Sequence, residues 1–593
     1  MSAGAGQLAV AGLGIGAVAG LSGLGVITTY RVTGVLNVAF GAIGMAAAFL
    51  LDTAVHAWGI PTGVAAAVII LVCAPLFGVL LDFAVFNPLQ RRAAGVGAQL
   101  TAGFGVTVLL VGIATVVWGS GARTDAPSLL PQSMVRWGGL SISDGVFVEL
   151  GLLAVIAAGL ILLTRGSAFG VTIRAVVDDR RLAELSGLPA RGLGRAGWAI
   201  GSALAAAAGM LLAPQLRLDP VTFTLLLFET LGVVVAARLA HPLTAVGVAL
   251  ATGIAQAELI GVHLSGRPGE VLGAVRSNLF VAVLLVAVWS TPAFHEARER
   301  TSATLRRTAL AERVGGWWPV VALAVAAALL RPGDVRTAQQ IPALAVVLLS
   351  FRVLHEGGLI SLGQTAFVGT GALIAAWEPR LGLLEAALGG ALLGAVLALP
   401  VARKRPLHLA LTTLAIATAA SRFVFEQPLF TPPPAVNRPG LLSGDRAYLV
   451  AEAVGLGLVV LLLVPLEHGA LGRRLAAIRD SEPAARMLGI PVERTRVLVF
   501  VLGGAVAAFG GALWCYADLS FDPATYDPLR GLIWLAAATA VGITSAPSLI
   551  LAAVGMVVAD TVVPGASAII VGVAALTAPW LRGESVEAVG AVR

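Results

Sequence analysis

Apolar runs follow one another along almost the whole chain, separated by short polar connections rich in arginine. The clearest occupy residues 8–27, 64–81, 100–118, 145–163, 274–289, 450–464 and 498–513. An α-helix needs about 20 apolar residues to cross the hydrocarbon of a bilayer. The pattern predicts an all-α, polytopic transmembrane helical bundle. It has roughly 16–19 spans, some of them broken, because several runs contain Gly or Pro and divide in more than one way.

Composition supports lipid as the solvent. The 593 residues are 58% hydrophobic and 12% charged, where soluble proteins carry roughly 25% charged residues. No soluble core of this length buries so much apolar surface. The 71 glycines read as packing residues, since small side chains let helices in a membrane approach closely. The formal charge of +7 sits in arginines between apolar runs, where it sets orientation by the positive-inside rule rather than binding nucleic acid. Cys73 and Cys515 both lie in apolar runs and suggest neither a metal site nor a disulfide framework. Residues 1–7 lack a basic n-region, so the first apolar run reads as a span and not as a cleaved signal peptide.

The chain repeats itself. FGVTIRAVVDDRRLAELSGLP from Phe169 returns as LGRRLAAIRDSEPAARMLGIP from Leu471. Gly170, Asp178, Ala183, Gly187 and Pro189 meet Gly472, Asp480, Ala485, Gly489 and Pro491 at one constant offset of 302 residues, which continues through Gly201/Gly503 and Gly209/Gly511. Earlier in each half, GVLNVAFG from Gly34 matches GLISLGQT from Gly358, offset by 324. Two matches in the same order indicate duplication. Both copies of the later segment are rich in arginine, so both are expected in the cytoplasm, which makes the repeat parallel. The expected division is an N-terminal half at 1–294, a charged cytoplasmic linker at 295–316 and a C-terminal half at 317–593.

The repeated basic segment is too polar to span, and DDRRLAELSG and DSEPAARMLG each read as a short helix. Asp178 and Asp480 are placed to cap its start, and Gly187 and Gly489 to end it in a left-handed conformation. Pro483 falls in the first turn, where a missing N–H costs little. Leu182 with Leu185, and Ala484 with Met487, form a small apolar face at i, i+3 spacing. One such helix per half suits docking of two copies of a partner; the alternative is a loop helix that only orients its neighbours. In the other motif, Gly34, Gly41, Gly44, Gly357, Gly358, Gly363, Gly369 and Gly371 permit interrupted helices, whose exposed backbone can line a solute cavity. Asn37, Ser361 and Gln364 would add neutral hydrogen bonds there; the alternative is interhelical packing. Asp82, Glu229, Arg238, His241, Glu258 and Asp560 lie in or near apolar runs and are expected at span ends, in reach of water. No enzyme chemistry is visible: the single lysine, Lys404, has no Gly-rich phosphate loop, and no metalloprotease or nucleophile-elbow motif occurs.

These segments resemble the permeases of branched-chain amino-acid ABC importers. LGRRLAAIRDSEPAARMLGIPVERTRVLVFVLGGAVAAFGGAL, GGLISLGQTAFVGTGALIAA at 357–376 and RKRPLHLALTTLAIATAASRFVF at 403–425 are similar to one permease subunit, and TTYRVTGVLNVAFGAIGMAAAFL at 28–50 with NPLQRRA at 87–93 to its sister. The resemblance implies both subunit types fused in one chain, a transport permease and not an enzyme. It implies ATPase coupling through Asp178, Ala183, Gly187, Asp480, Ala485 and Gly489, with the two alanines letting an ATPase groove approach. It implies a translocation path lined by Asn37, Phe40, Gly41, Ser361, Gly363 and Gln364. Its partners would be separate cytoplasmic ABC ATPase subunits, an extracytoplasmic solute-binding protein, membrane lipid and a small solute, by default a branched-chain amino acid. ATP would be used by the partner subunits, this chain binding no cofactor and no metal, in the plasma membrane of a bacterium. Phe40 stands where many relatives have His, and PLFTPPPAVNRPGLLSGD at 428–445 replaces a Thr-Gly-Gly-rich segment. The alternative is an ion-gradient-driven secondary transporter of a small solute, which has no required role for the paired loops.

Overall fold

The computed structural model describes residues 3–91, 95–130, 133–137, 140–165, 167–178, 180–215, 217–290, 331–378, 381–401, 406–433 and 435–581. The expected linker lies outside them. The chain forms two compact units, Met1–Ala297 and Arg298–Arg593.

Helices dominate both units, as the apolar runs require: in lipid a backbone must satisfy its own hydrogen bonds. Ten helices among the described residues are long and apolar enough to cross a membrane, and five shorter apolar helices accompany them. The chain is a multi-pass membrane protein. The apolar run at 274–289 is not one straight span. Arg267–Ser277 and Leu279–Ser290 meet at 76°, where the Asn278 side chain donates to the Ala274 carbonyl oxygen at 3.1 Å and competes with the helix ladder. The strands among the described residues form one antiparallel hairpin, Met134–Trp137 with Leu140–Ser143.

In the first unit the long helix Ala3–Thr33 is central, packed on Pro242–Glu258, Ala190–Leu212 and Asp144–Arg165. In the second, Val492–Asp518 packs on Gly382–Val401, Gln364–Trp377 and Pro332–Glu356. Polar side chains start several helices: Asp527 accepts from the Leu529 N–H at 2.9 Å and Ser545 from the Ser548 N–H at 3.4 Å, each followed by proline in the first turn.

Glycines act as close-packing residues, and the repeat preserves the contact. Gly209 lies against the Gly44 carbonyl in one unit, and Gly511 against the Val368 carbonyl in the other. These positions correspond at offsets of 302 and 324. A side chain at Gly511 meets backbone, which cannot swing aside. Gly511→Leu is expected to destabilise the purified protein by about 1–3 kcal/mol, read as a fall in thermal midpoint. Gly555→Leu, where an added Cβ meets nothing, should leave the midpoint unchanged.

Of the charges in or near apolar runs, Arg238 and His241 are exposed just beyond Pro220–Ala236. Glu258 ends its helix, and Asp560, near the end of Ala546–Val562, accepts from Ser567 Oγ at 2.7 Å. Asp82 departs from the expectation: it is buried within the span Thr62–Arg91, at the start of the π-helical turn Asp82–Phe86. The Glu229 side chain lies outside those described.

Candidate functional site

Each unit contains a helix interrupted at the place the repeat marks. Ala3–Thr33 ends before Gly34 (φ +72°) and the chain resumes helix at Phe40–His56. Pro332–Glu356 ends before Gly358 (φ +68°), and helix resumes at Gln364–Trp377. Only glycine adopts this left-handed conformation without strain. Gly363 stands at the start of the second resumed helix, against Thr413. Gly41, Gly44, Gly369 and Gly371 fall inside the resumed helices rather than in the breaks.

The predicted path residues divide by what their atoms do. Asn37 is fully buried, and neither amide atom has a hydrogen-bond partner. Gln364 donates from Nε2 to Ser350 Oγ at 3.0 Å, while its Oε1 has no partner. Ser361 Oγ is used within the break, accepting from the Gly363 N–H at 3.2 Å. Phe40 and Gln364 occupy equivalent positions, and both pack back on the helix before the break. Phe40 does so by seating its ring on Gly25, Gln364 by its bond to Ser350.

The two polar segments fold as a matched pair. Ala168–Asp178, Arg180–Leu185 and Ala190–Leu212 correspond, at the 302-residue offset, to Ala470–Asp480, Glu482–Met487 and Val492–Asp518. Gly187 (φ +80°) and Gly489 (φ +76°) end the short helices. The Leu188 N–H donates to the Ala183 carbonyl (3.0 Å) and Gly187 N–H to that of Glu184 (3.1 Å). Ile490 to Ala485 (3.1 Å) and Gly489 to Arg486 (3.0 Å) repeat the pattern. Both ends are Schellman motifs.

Two expectations are corrected. Asp480 does not cap the second short helix: it is the last residue of the preceding one, and Ser481 Oγ accepts from the Ala484 N–H at 3.4 Å. The Asp178 side chain lies outside those described. Ala183 and Ala485 do not face outward. They are 4% and 1% exposed, Ala183 against Val176 and Leu188, Ala485 against Ile478 and Val492. Their small size lets each short helix lie on its own scaffold. The outward face is Leu182 and Leu185 in one unit, Met487 and Leu488 in the other, all strongly exposed. The second short helix is further held by Arg496 and Arg486, each donating to Glu482 at 2.8 Å. Burial pushes the Glu482 carboxyl up, but these guanidinium groups outweigh it and hold it below its usual range.

In both units the break meets the arms that flank the short helix. Val32, at the end of the first, packs with Ile173 and Leu193 on the two arms flanking the short helix. In the second unit Glu356 occupies the position of Val32 and pairs with Arg479 at 3.0 Å, while Gly357 faces Val499. The size pattern is reciprocal: Val32 and Thr33 fit onto Gly197, whereas Gly357 accepts Val499 at the same two repeat positions.

Sequence reasoning passed over Glu356, although it directly precedes the Gly357-Gly358 pair, and Arg438, in the proline-rich segment. It also missed Glu149, a buried carboxylate accepting from Gln215 at 3.2 Å. Glu149 lines a cavity of about 280 Å³ together with Gly14, Ser143 and Leu211; none of the predicted site residues lines it.

Residues 8–289 and again 335–581 match the family described as branched-chain amino acid transport system, permease component. The chain belongs to this family. It carries two permease repeats in one chain, each with a glycine-marked helix break and a matched short polar helix. A probable branched-chain amino acid transport permease from Methanocaldococcus jannaschii is 26% identical over 278 residues, 45% of this chain and 86% of the relative. Shorter stretches match other permeases. The L-arabinose transport permease of Escherichia coli is 40% identical over 60 residues, 10% of this chain and 18% of the relative. The autoinducer 2 import permease of Klebsiella pneumoniae is 37% identical over 82 residues, 13% and 24% respectively. The permease is thus a component of the ABC importer class, whose members take up both amino acids and sugars.

Proposed function

We propose that this permease moves a branched-chain amino acid, or a closely related small polar solute, with energy from separate ATPase subunits that dock on Arg180–Leu185 and Glu482–Met487. A solute-binding protein delivers the solute at the opposite face. The observation that carries the reading is the paired short helix: each copy is anchored inward by a buried alanine and presents exposed apolar side chains outward. An ion-driven transporter has no use for two such faces. The polar atoms of Asn37 and Gln364 at the breaks supply transient, neutral contacts along the path, suited to passage rather than tight retention. Because both repeats lie in one chain, one copy serves a pair of ATPases.

The test is reconstitution of the permease with its ATPase and binding-protein partners in vesicles supplied with radiolabelled leucine or L-arabinose. Leucine uptake that requires ATP is expected, with one permease chain per two ATPases by mass. ATP-dependent arabinose uptake alone would move the substrate to the sugar class. Leucine uptake driven by an ion gradient without ATP would overturn the coupling.

A further inference from the structure

We propose that the Glu356–Arg479 ion pair is the positioning contact through which the short helix Glu482–Met487 controls the helix break at Gly357 and Gly358. The equivalent joint in the N-terminal repeat works through the apolar contact of Val32 with Ile173 and Leu193. This inference rests on the reading that the short helices couple to ATPases.

The pair joins two helix ends, each next to a hinge. Glu356 is the last residue before the break, and Arg479 lies two residues before Ser481, the cap of the short helix. Arg479 also runs along the break itself: its Cα, Cβ and Cγ lie 3.6–3.8 Å from where a Cβ of Gly358 would stand. Any displacement of the short helix moves Arg479 first and reaches the break next.

Stability alone does not account for the pair. A carboxylate at the C-terminal end of a helix opposes the helix dipole, and Glu356 is also buried at 5% exposure. Desolvating such a pair offsets much of its attraction, so an apolar contact serves packing at least as well. The N-terminal repeat has an apolar contact at the position of Glu356: Val32 is buried against Ile173 and Leu193, the counterparts of Leu475 and Thr495. An ion pair differs in kind from the apolar joint: it is directional, and it weakens as the two helix ends turn relative to each other. The C-terminal break therefore follows the orientation of its short helix, whereas the N-terminal break follows only its proximity.

The test uses the full complex in vesicles, with leucine uptake and ATP hydrolysis measured together. Glu356→Arg and Arg479→Glu should each raise the ATP hydrolysed per leucine imported about tenfold. The double swap, Glu356→Arg with Arg479→Glu, should restore the wild-type ratio; a pair that only supports folding would lower uptake and hydrolysis together in the single variants and leave the ratio unchanged. Unchanged ratios in both single variants, or no recovery in a double swap present at wild-type abundance, overturn the proposal. If the reversals do not accumulate in the membrane, Glu356→Gln and Arg479→Gln take their place, and an unchanged ratio in both again overturns it. A wild-type complex that imports leucine without ATP refutes the coupling reading instead, so the two failures are distinct.

Discussion

Aspartate at both Leu185 and Met487 should abolish ATP-dependent uptake while leaving the permease folded. These side chains are 78% and 90% exposed, so a carboxylate at either meets water in the free protein. Against an ATPase docked as proposed it would meet an apolar surface, and loss of a central apolar anchor costs about 2 kcal/mol or more. Each face should therefore lose affinity by about thirtyfold, and the double variant should retain no ATPase on co-purification. Ala485→Asp should behave in the opposite way. It drives a carboxylate between Ile478 and Val492, a burial without a partner that costs a few kcal/mol, and should lower the melting temperature before docking is measured. Full uptake by the Leu185/Met487 double variant at normal abundance would remove the short helices from energy coupling.

Arg438→Ala should strongly destabilise the C-terminal repeat. The guanidinium is 3% exposed. It donates to the Tyr516 carbonyl at 2.7 Å, to Asp445 Oδ1 at 2.7 Å and to Gln339 Oε1 at 2.8 Å, and lies 4.2 Å from the centre of the Tyr448 ring. One side chain thus ties the proline-rich segment to three helices. Breaking a buried charged contact of this kind costs about 3–5 kcal/mol, and the part-exposed Asp445 puts the expectation at about 3 kcal/mol. Arg438→Lys should fall between, because a single ammonium cannot reproduce the planar fork that reaches all three acceptors. Thermal unfolding in detergent measures both, and equal midpoints for wild type and Arg438→Ala would show that the segment is held elsewhere.

The features legible in the sequence are those set by local rules. Apolar length gives the spans, the constant offset gives the duplication, and Gly34, Gly187, Gly358 and Gly489 mark left-handed turns that few other residues tolerate. The kink at Asn278 was not legible, because an asparagine within an apolar run looks like any other polar guest. Asp480 reads as a cap in the sequence because Asp and Ser, adjacent at 480 and 481, have nearly equal capping tendency. Only the backbone shows which of them begins the new helix. The sequence alone leaves the side of Ala183 and Ala485 open, because a small residue fits a close approach from either side. The direction of that approach is a tertiary fact. The Glu356–Arg479 pair spans 123 positions and leaves no local trace.

The reciprocal fit of Val32 and Thr33 on Gly197, and of Gly357 on Val499, bears on how the two repeats can evolve. Tandem duplicates within one gene are prone to exchange sequence with each other. An exchange that carried the arm of one repeat into the other would set glycine against glycine, leaving a hollow, or valine against valine and threonine, overfilling the joint. Either hybrid is mispacked where the break meets its arm, so each repeat is locked to its own partner surface. Exchange of an arm alone is thereby disfavoured, whereas exchange of break and arm together would keep the fit.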